Sequence, residues 1–309
     1  MTDQYKELIE GLSLGNLQKA KLYARFILEG MKSDNIWRDR MLNNLSLQFM
    51  ELPSNISEFL FAENPAIIDM GRTVLSAKEQ KIVGHVERMQ SVSNRMAESG
   101  IRYLNSTLLY GKSGTGKTTL AKYIARKMDL PFICINISTI VGSYLGETSK
   151  RIAKIFEYAI KTKCILMMDE IDVIGISRNS NKDGASAERS SIVMSITQNI
   201  DSLPNSTILI AGTNRIDILD EALLRRFSLQ QEIKLPDAEC IEEICHRYVD
   251  GTDIKFSDTQ LKDFSRQMAK DGKSKDFIVK RIIEAMAVSY AKNDPLNLSQ
   301  GTEQTLFDF

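Results

Sequence analysis

The sequence predicts an α/β fold, in which a parallel sheet is followed by a small all-helical lid and preceded by a helical N-terminal domain. Short apolar runs such as Cys164–Met168 alternate with amphipathic helical patterns, as in parallel sheets covered by helices. A Gly-rich turn at Gly111–Thr118 joins one such run to a helix. Before residue 56, and between residues 237 and 292, only helical periodicity is found.

These patterns divide the 309 residues into four segments. We expect the helical N-terminal domain over residues 1–55, the α/β domain over 56–236, the helical lid over 237–292 and a tail over 293–309. A chain of this length is expected to form two compact domains, or one with appendages. No internal repeat is found, so the sequence contains a single α/β module.

Three apolar stripes at helical spacing occupy the N-terminal segment. We expect them to form the core of a helical hairpin or three-helix domain, the alternative being a groove for a partner. The turn-rich Leu52–Asn55 ends this segment. Residues 56–75 are predicted to be a connector along the α/β domain, and a helix is expected from Thr73 to about Arg95.

Five strands and the helices between them follow in order. The strands are short apolar runs, predicted at Thr107–Tyr110, Leu130–Asn136, Cys164–Met168, Ser206–Gly212 and Gln231–Leu235. The helices show a 3.6-residue period and are predicted at Thr118–Lys127, Thr148–Thr162, Asp217–Leu224, Ala238–Val249, Asp258–Ala269 and Ser274–Lys292. The polar stretch Ser177–Ser191 is predicted to be a mobile loop.

The turn Gly111–Thr118 fits the phosphate-loop pattern G-x-x-x-x-G-K-[ST] at every fixed position. A strand that feeds such a loop into a helix points backbone N–H groups and the positive helix end at a polyphosphate. Lys117 is expected to reach the β- and γ-phosphates, and the Thr118 hydroxyl to ligate Mg²⁺. A chance Gly-rich turn is the alternative. The predicted nucleotide-binding residues are Gly111, Ser113, Gly114, Thr115, Gly116, Lys117, Thr118, Thr119 and Asp169.

Two carboxylates, Asp169 and Glu170, follow the buried strand Cys164–Met168. Ligands bind at the carboxyl ends of strands in open α/β sheets. Asp169 is therefore expected to hold Mg²⁺ through water, with Thr118 as the other metal-site residue. Glu170 is expected to polarise the attacking water. The alternative is a solvated pair of acids at the end of a strand.

Composition restricts the classes of partner. Forty basic residues balance forty acidic ones, so neither nucleic acid nor an anionic membrane is indicated. No apolar run reaches membrane-spanning length. The four cysteines and two histidines lack metal-ligand spacing, so we expect buried thiols in a reducing compartment and a cytoplasmic location.

With these pieces in order, residues 70–292 resemble the AAA family of the AAA+ ATPases. Three motifs carry the resemblance: Gly111–Thr118 is similar to Walker A, Ile165–Glu170 to Walker B, and Thr207–Phe227 to the second region of homology of AAA proteins. The resemblance implies an ATPase that uses ATP and Mg²⁺ on a P-loop NTPase core.

The same resemblance implies further site residues. Asn214 matches sensor 1, which positions water near the γ-phosphate, and Arg225 and Arg226 match arginine fingers that act on a neighbouring subunit's nucleotide. Asn136 matches a position that restrains the catalytic glutamate in some relatives. The expected catalytic residues are therefore Glu170, Asn214, Arg225 and Arg226.

Tyr144 and Leu145, followed by Gly146 and Glu147, resemble the pore loop that grips a threaded polypeptide. A packed surface aromatic is the alternative for Tyr144. The resemblance implies a homo-oligomeric ring, expected to be a hexamer, that remodels, unfolds or disassembles a protein substrate through a central pore. The alternatives are a DNA-handling loader or regulator and a nucleotide-dependent switch or scaffold.

Two departures from the family pattern, and the tail, leave open questions. Lys112 and Ser113 stand where the family usually has two prolines, and Gly272–Asp276 is shorter than the usual lid segment, so sensor 2 contacts are not assigned. The tail ends in an apolar cluster, Leu306, Phe307 and Phe309. Such a cluster favours association. It is expected to fold back on the lid or a neighbouring subunit, or else to dock a partner.

Overall fold

The computed structural model describes residues 3–13, 23–24, 27–28, 56–57, 59–65, 68–141, 148–174, 184–254 and 257–292. Three sequence predictions lie outside these residues. They concern most of the N-terminal helical domain, the pore-loop pair Tyr144 and Leu145, and the tail. The four domain boundaries likewise stay predictions.

The α/β fold is confirmed, with one strand more than the sequence predicts. The sheet has six strands: β1 (Leu60–Glu63), β2 (Asn105–Tyr110), β3 (Phe132–Asn136), β4 (Ile165–Asp169), β5 (Ile208–Thr213) and β6 (Leu229–Glu232). Their order across the sheet is β1-β3-β4-β5-β2-β6. All neighbours run parallel except β1, which pairs antiparallel with β3.

Ten α-helices lie within the described residues. They are α1 (Asp3–Ser13), α2 (Ala77–Glu98), α3 (Lys117–Met128), α4 (Ile137–Val141), α5 (Thr148–Thr162), α6 (Gly184–Ser202), α7 (Glu221–Leu224), α8 (Ala238–Val249), α9 (Asp258–Lys270) and α10 (Lys275–Lys292). The loop predicted at Ser177–Ser191 is wrong from residue 184 onwards, because α6 begins there. None of the described helices is long and apolar enough to cross a membrane.

The connector predicted before α2 contains β1, and this too corrects the sequence analysis. Leu60 is buried while Phe61 is about half exposed, so the alternation is that of an edge strand. Helix α2 begins at a capping box, in which the Ser76 hydroxyl accepts from the Glu79 N–H and the Glu79 carboxylate accepts from the Ser76 N–H. The helix therefore starts at Ala77, four residues later than predicted.

Side chains of the central strands alternate between two apolar cores, one on each face of the sheet. Along β4, Leu166 and Met168 pack with α5 and α6, whereas Ile165 and Met167 pack with α2 and α3. Helices α8, α9 and α10 share a third core, which is the lid predicted from the sequence. Because β2, β4 and β5 are parallel, their carboxyl ends meet at one edge, and the segments that follow them converge there.

Candidate nucleotide-binding site

A cavity of about 550 Å³ opens at the carboxyl edge of the sheet, beneath the lid. The segments that form it are the turn after β2 with the start of α3, the ends of β4 and β5, the segment that leads into α2, and the lid helices. Its lining residues are Asp69, Arg72, Thr73, Val74, Leu75, Glu79, Ser113, Gly114, Gly116, Lys117, Thr118, Thr119, Leu120, Asp169, Glu170, Asn214, Ile244, Tyr248, Lys275, Asp276 and Val279.

Lys117 is the buried cation of this cavity, with 7% of its surface exposed. Its Nζ donates to the backbone oxygens of Gly111 at 2.9 Å and Lys112 at 3.0 Å, and to Oδ1 of Asn214 at 2.7 Å. An ammonium has three donors, so protein oxygens satisfy all of them. Burial lowers the pKa of Lys117, and nearby carboxylates oppose this shift.

The end of β4 supplies a donor set that suits Mg²⁺. Thr118 Oγ1 donates to Oδ2 of Asp169 at 2.5 Å, which brings a hydroxyl and a carboxylate oxygen together beside the cavity. Hard cations such as Mg²⁺ take oxygen ligands of this kind. Thr118 and Asp169 are therefore the residues that would hold the metal.

Glu170 follows Asp169 with its backbone in the left-handed region, at φ 53°. For a residue with a side chain this conformation costs about 1–2 kcal/mol. It turns the chain sharply at the end of β4, where the Glu170 N–H donates to Oδ1 of Asp169 at 3.0 Å. The Glu170 side chain is exposed and lines the cavity, so the two carboxylates occupy different places in the site.

The start of α3 fits a polyphosphate. Gly116 is the N-cap of this helix, at φ 98°, and no side chain caps it. The N–H groups of the first turn therefore have no capping side chain and face the position that an anion takes. A Cβ on Gly114 would lie 2.7 Å from the Ser274 hydroxyl of the lid, so the loop fits closely beneath the lid only with glycine there.

Asn214, which follows β5, is brought to the same place. Its amide oxygen contacts Lys117, and its backbone N–H donates to Oδ1 of Asp172 at 3.2 Å. The same Oδ1 accepts from the Thr213 hydroxyl at 2.9 Å. The structure therefore joins the phosphate-loop lysine, the end of β5 and the turn after β4 in one hydrogen-bonded group.

Comparison with known proteins matches residues 107–235 to the ATPase family associated with various cellular activities (AAA). These residues contain the phosphate loop, the β4 carboxylates and Asn214. Residues 107–235 are therefore an AAA ATPase domain.

Relatives of the chain include the ATP-dependent zinc metalloprotease FtsH of Acholeplasma laidlawii, 33% identical over 218 residues, or 65% of this chain and 34% of that protein. The 26S proteasome regulatory subunit 10B of Dictyostelium discoideum is 34% identical over 192 residues, or 60% and 49%. The 26S proteasome regulatory subunit 10B homolog A of Arabidopsis thaliana is 40% identical over 140 residues, or 44% and 35%. Each match thus spans about a third to a half of the relative.

The lid contributes residues that the sequence analysis did not assign. Lys275, at the start of α10, donates to both carboxylate oxygens of Glu79 at 2.8 Å and to the Val74 carbonyl at 3.2 Å. The Asp276 N–H donates to the Gly114 carbonyl at 3.1 Å. The capping box at Ser76 could have indicated Glu79, but no sequence signal indicates its lysine partner.

Arg225 and Arg226 do not line the cavity formed by the described residues. Arg225 pairs with Glu221 at 2.8 Å, and 74% of its side chain is exposed. Arg226 donates from Nε and from its terminal NH2 to the two carboxylate oxygens of Asp201, at 2.9 and 3.0 Å. The structure therefore separates both arginines from the phosphate loop of their own chain. The Asn136 backbone lies beside Asp169 across the sheet, but its side chain lies outside the described set.

A prediction concerns Gly111, which begins the phosphate loop at φ 149°. A Cβ there would lie 2.2 Å from the Ile233 carbonyl oxygen, so the backbone just after β2 or just after β6 would have to move. Overpacking costs about 1–3 kcal/mol in addition to the conformational strain, so Gly111→Ala should lower the free energy of unfolding by about 3 kcal/mol. Urea unfolding would measure the change.

Gly251→Ala is the matched control, because Gly251 also has a positive φ, 77°, but no atom lies within 4 Å of a Cβ built there. Gly251→Ala is expected to lower the free energy of unfolding by about 1–2 kcal/mol, the cost of placing a residue with a side chain at positive φ. Equal losses in the two variants would contradict the close approach at Gly111.

Proposed function

We propose that this AAA protein hydrolyses Mg²⁺-bound ATP in the cavity and uses the cycle to remodel a protein substrate. The observation that carries the proposal is the convergence of Lys117, Thr118, Asp169, Glu170 and Asn214 on one cavity from three separate parts of the chain. Phosphoryl transfer needs positioned charges more than covalent chemistry, and these side chains supply them.

Each side chain has a part in the reaction. When nucleotide binds, Lys117 replaces its hydrogen bonds to protein oxygens with hydrogen bonds to phosphate oxygens. Its positive charge then balances the negative charge that develops on those phosphate oxygens. Thr118 and Asp169 would hold the metal, which would supply neutralisation of the phosphate charge. Glu170 accepts a hydrogen bond from the attacking water and acts as the general base that takes its proton. Asn214 orients that water beside Lys117.

The arginines favour a ring as the working form. An arginine finger must reach the transferred phosphoryl group, and neither Arg225 nor Arg226 borders the cavity of its own chain. Their side chains are partly or largely exposed, so a second copy could receive them. We infer a homo-oligomer, with the hexamer of the family as the expected number.

A protein is the proposed substrate. The relatives include, by name, a metalloprotease and regulatory subunits of the 26S proteasome, which favours protein remodelling over DNA handling. The chain itself has only His85 and His246, and so lacks an H-E-x-x-H zinc motif. A cytoplasmic location stays a prediction, as does a docking partner for the tail.

ATPase assays of the full chain with an unfolded protein, with duplex DNA and with neither would test this function. We expect basal hydrolysis that unfolded protein stimulates and DNA leaves unchanged. Stimulation by DNA alone would favour the loader alternative. ATP binding without hydrolysis would favour a switch or scaffold.

A further prediction concerns Tyr144, proposed with Leu145 to contact the substrate in the pore. Tyr144→Ala should spare basal ATPase activity and abolish its stimulation by unfolded protein, because the side chain is assigned to substrate. Tyr144→Phe keeps the aromatic ring and should retain stimulation. Phosphate release with and without unfolded protein would measure both. Loss of basal hydrolysis in Tyr144→Ala would place the tyrosine in the nucleotide site or the core.

A further inference from the structure

The proposed mechanism gives no role to Asp172, a carboxylate two residues after Glu170. It lies in the short 3-10 turn Ile171–Val173 that follows Glu170. Its neighbours Ile171 and Ile174 are buried in the sheet core, with 0% and 1% of their surfaces exposed. Because both flanking side chains are anchored, the Asp172 carboxylate is held in a fixed place at the end of the sheet.

The Asp172 carboxylate contacts the end of β5. Its Oδ1 accepts from the Thr213 hydroxyl at 2.9 Å and from the Asn214 N–H at 3.2 Å. Thr213 is fully buried, and its hydroxyl oxygen also accepts from the Arg215 N–H at 3.0 Å. One carboxylate oxygen thus sets the backbone of the turn Thr213–Arg215. A buried hydroxyl left without its acceptor would cost about 1–3 kcal/mol.

The turn is fixed from its other side by Lys117. Its Nζ donates to Oδ1 of Asn214 at 2.7 Å, so the Asn214 backbone is tied to Asp172 and its side chain to the phosphate loop. Asp172 also lies near enough to Lys117 for its charge to oppose the lowering of the Lys117 pKa by burial, although Asp169 opposes it more. The hydrogen bonds to Thr213 and Asn214 are therefore the direct link between Asp172 and this group.

We propose that Asp172 is a positioning residue for ATP hydrolysis, which holds Asn214 in the place where its amide orients the attacking water. The inference rests on the proposed function, because it concerns the same site. Asp172 acts through Asn214 and the backbone. Removing its Oδ1 should therefore slow turnover while leaving nucleotide affinity, which depends on Lys117 and the loop, unchanged.

The test compares Asp172→Ala with Asp172→Asn in the full chain. The alanine variant loses the accepting oxygen, and we expect kcat to fall by about 100-fold, as for a slightly misplaced catalytic group, with the Kd of a fluorescent ATP analogue unchanged. The asparagine variant keeps Oδ1 as an acceptor and should retain most of kcat. Unchanged kcat in Asp172→Ala overturns the proposal. An equal loss in both variants also overturns it, because charge and not positioning would then be the cause.

Asp217→Ala is the matched control. Asp217 is an exposed acid close to the same turn, paired with Arg215 at 2.8 Å, and its removal should leave kcat unchanged. If Asp172→Ala does not fold, Thr213→Val removes one of the two donors and should give a smaller loss of kcat. No loss in that variant would also count against the proposal.

Amide exchange separates this inference from the proposed function. The Asn214 N–H should exchange faster in Asp172→Ala than in the wild type, measured without nucleotide. If the wild type fails to hydrolyse ATP, the proposed function fails, yet faster exchange would still support the positioning by Asp172. Unchanged exchange at Asn214 would overturn the positioning even in an active enzyme.

Discussion

Glu170→Gln is expected to lower ATP turnover by about 10²–10⁴-fold, the usual contribution of a general base, while leaving Mg²⁺-bound ATP in place. Glutamine keeps the size of the side chain but not its ability to accept a proton. The contacts assigned to affinity are made by Lys117 and by the Thr118–Asp169 pair, neither of which uses the Glu170 side chain. Binding should therefore survive the substitution.

Lys117→Ala is expected to differ from Glu170→Gln in its effect on nucleotide binding. This variant removes the buried ammonium that is expected to contact the phosphates, so nucleotide binding itself should be lost. Titration of a fluorescent ATP analogue and phosphate release would be measured for both variants. An equal loss of affinity in Glu170→Gln and Lys117→Ala would show that Glu170 holds the nucleotide or the fold, and would remove its assignment as the base.

The sequence predicts best those elements whose ends are marked by local chemistry. Helix α8 spans the predicted range Ala238–Val249, because Asp237 caps it and its apolar stripe is strong. The phosphate loop and Asp169 are brought together because parallel strands end at one edge of the sheet. In such cases a few neighbouring residues determine the structure, and the pattern can be read without knowing the rest of the fold.

Elements that depend on distant pairing could not be predicted. Strand β1 has only four residues, and its place at the sheet edge comes from pairing with β3 some 70 residues later in the chain. The first turns of α6 are polar, so no apolar period marks their helical state. The Lys275–Glu79 pair joins residues separated by 196 positions. An exposed basic residue and a buried one look alike in the sequence.

The two arginines after α7 lead to the second large effect. Arg225→Ala and Arg226→Ala should each lower turnover, and loss of the arginine that serves as the finger should cost about 10³-fold or more. Exposed ion pairs such as Arg225–Glu221 contribute only about 0.3–0.5 kcal/mol to stability, so the fold should survive. Lys161→Ala, which breaks a similar exposed i,i+4 pair with Glu157, is the control and should keep full activity.

Mixing subunits tests whether the finger acts in trans. Arg226→Ala subunits retain Glu170, and Glu170→Gln subunits retain Arg226, although each population alone is expected to be inactive. Where a Glu170→Gln subunit places its arginine at the site of an Arg226→Ala subunit, one complete active site forms, so the mixture should recover part of the wild-type phosphate release. Wild-type turnover per subunit should likewise fall on dilution, because a separated subunit has no neighbour to supply the arginine. Turnover that stays constant down to monomer concentrations, together with no recovery on mixing, would show that each chain hydrolyses ATP by itself.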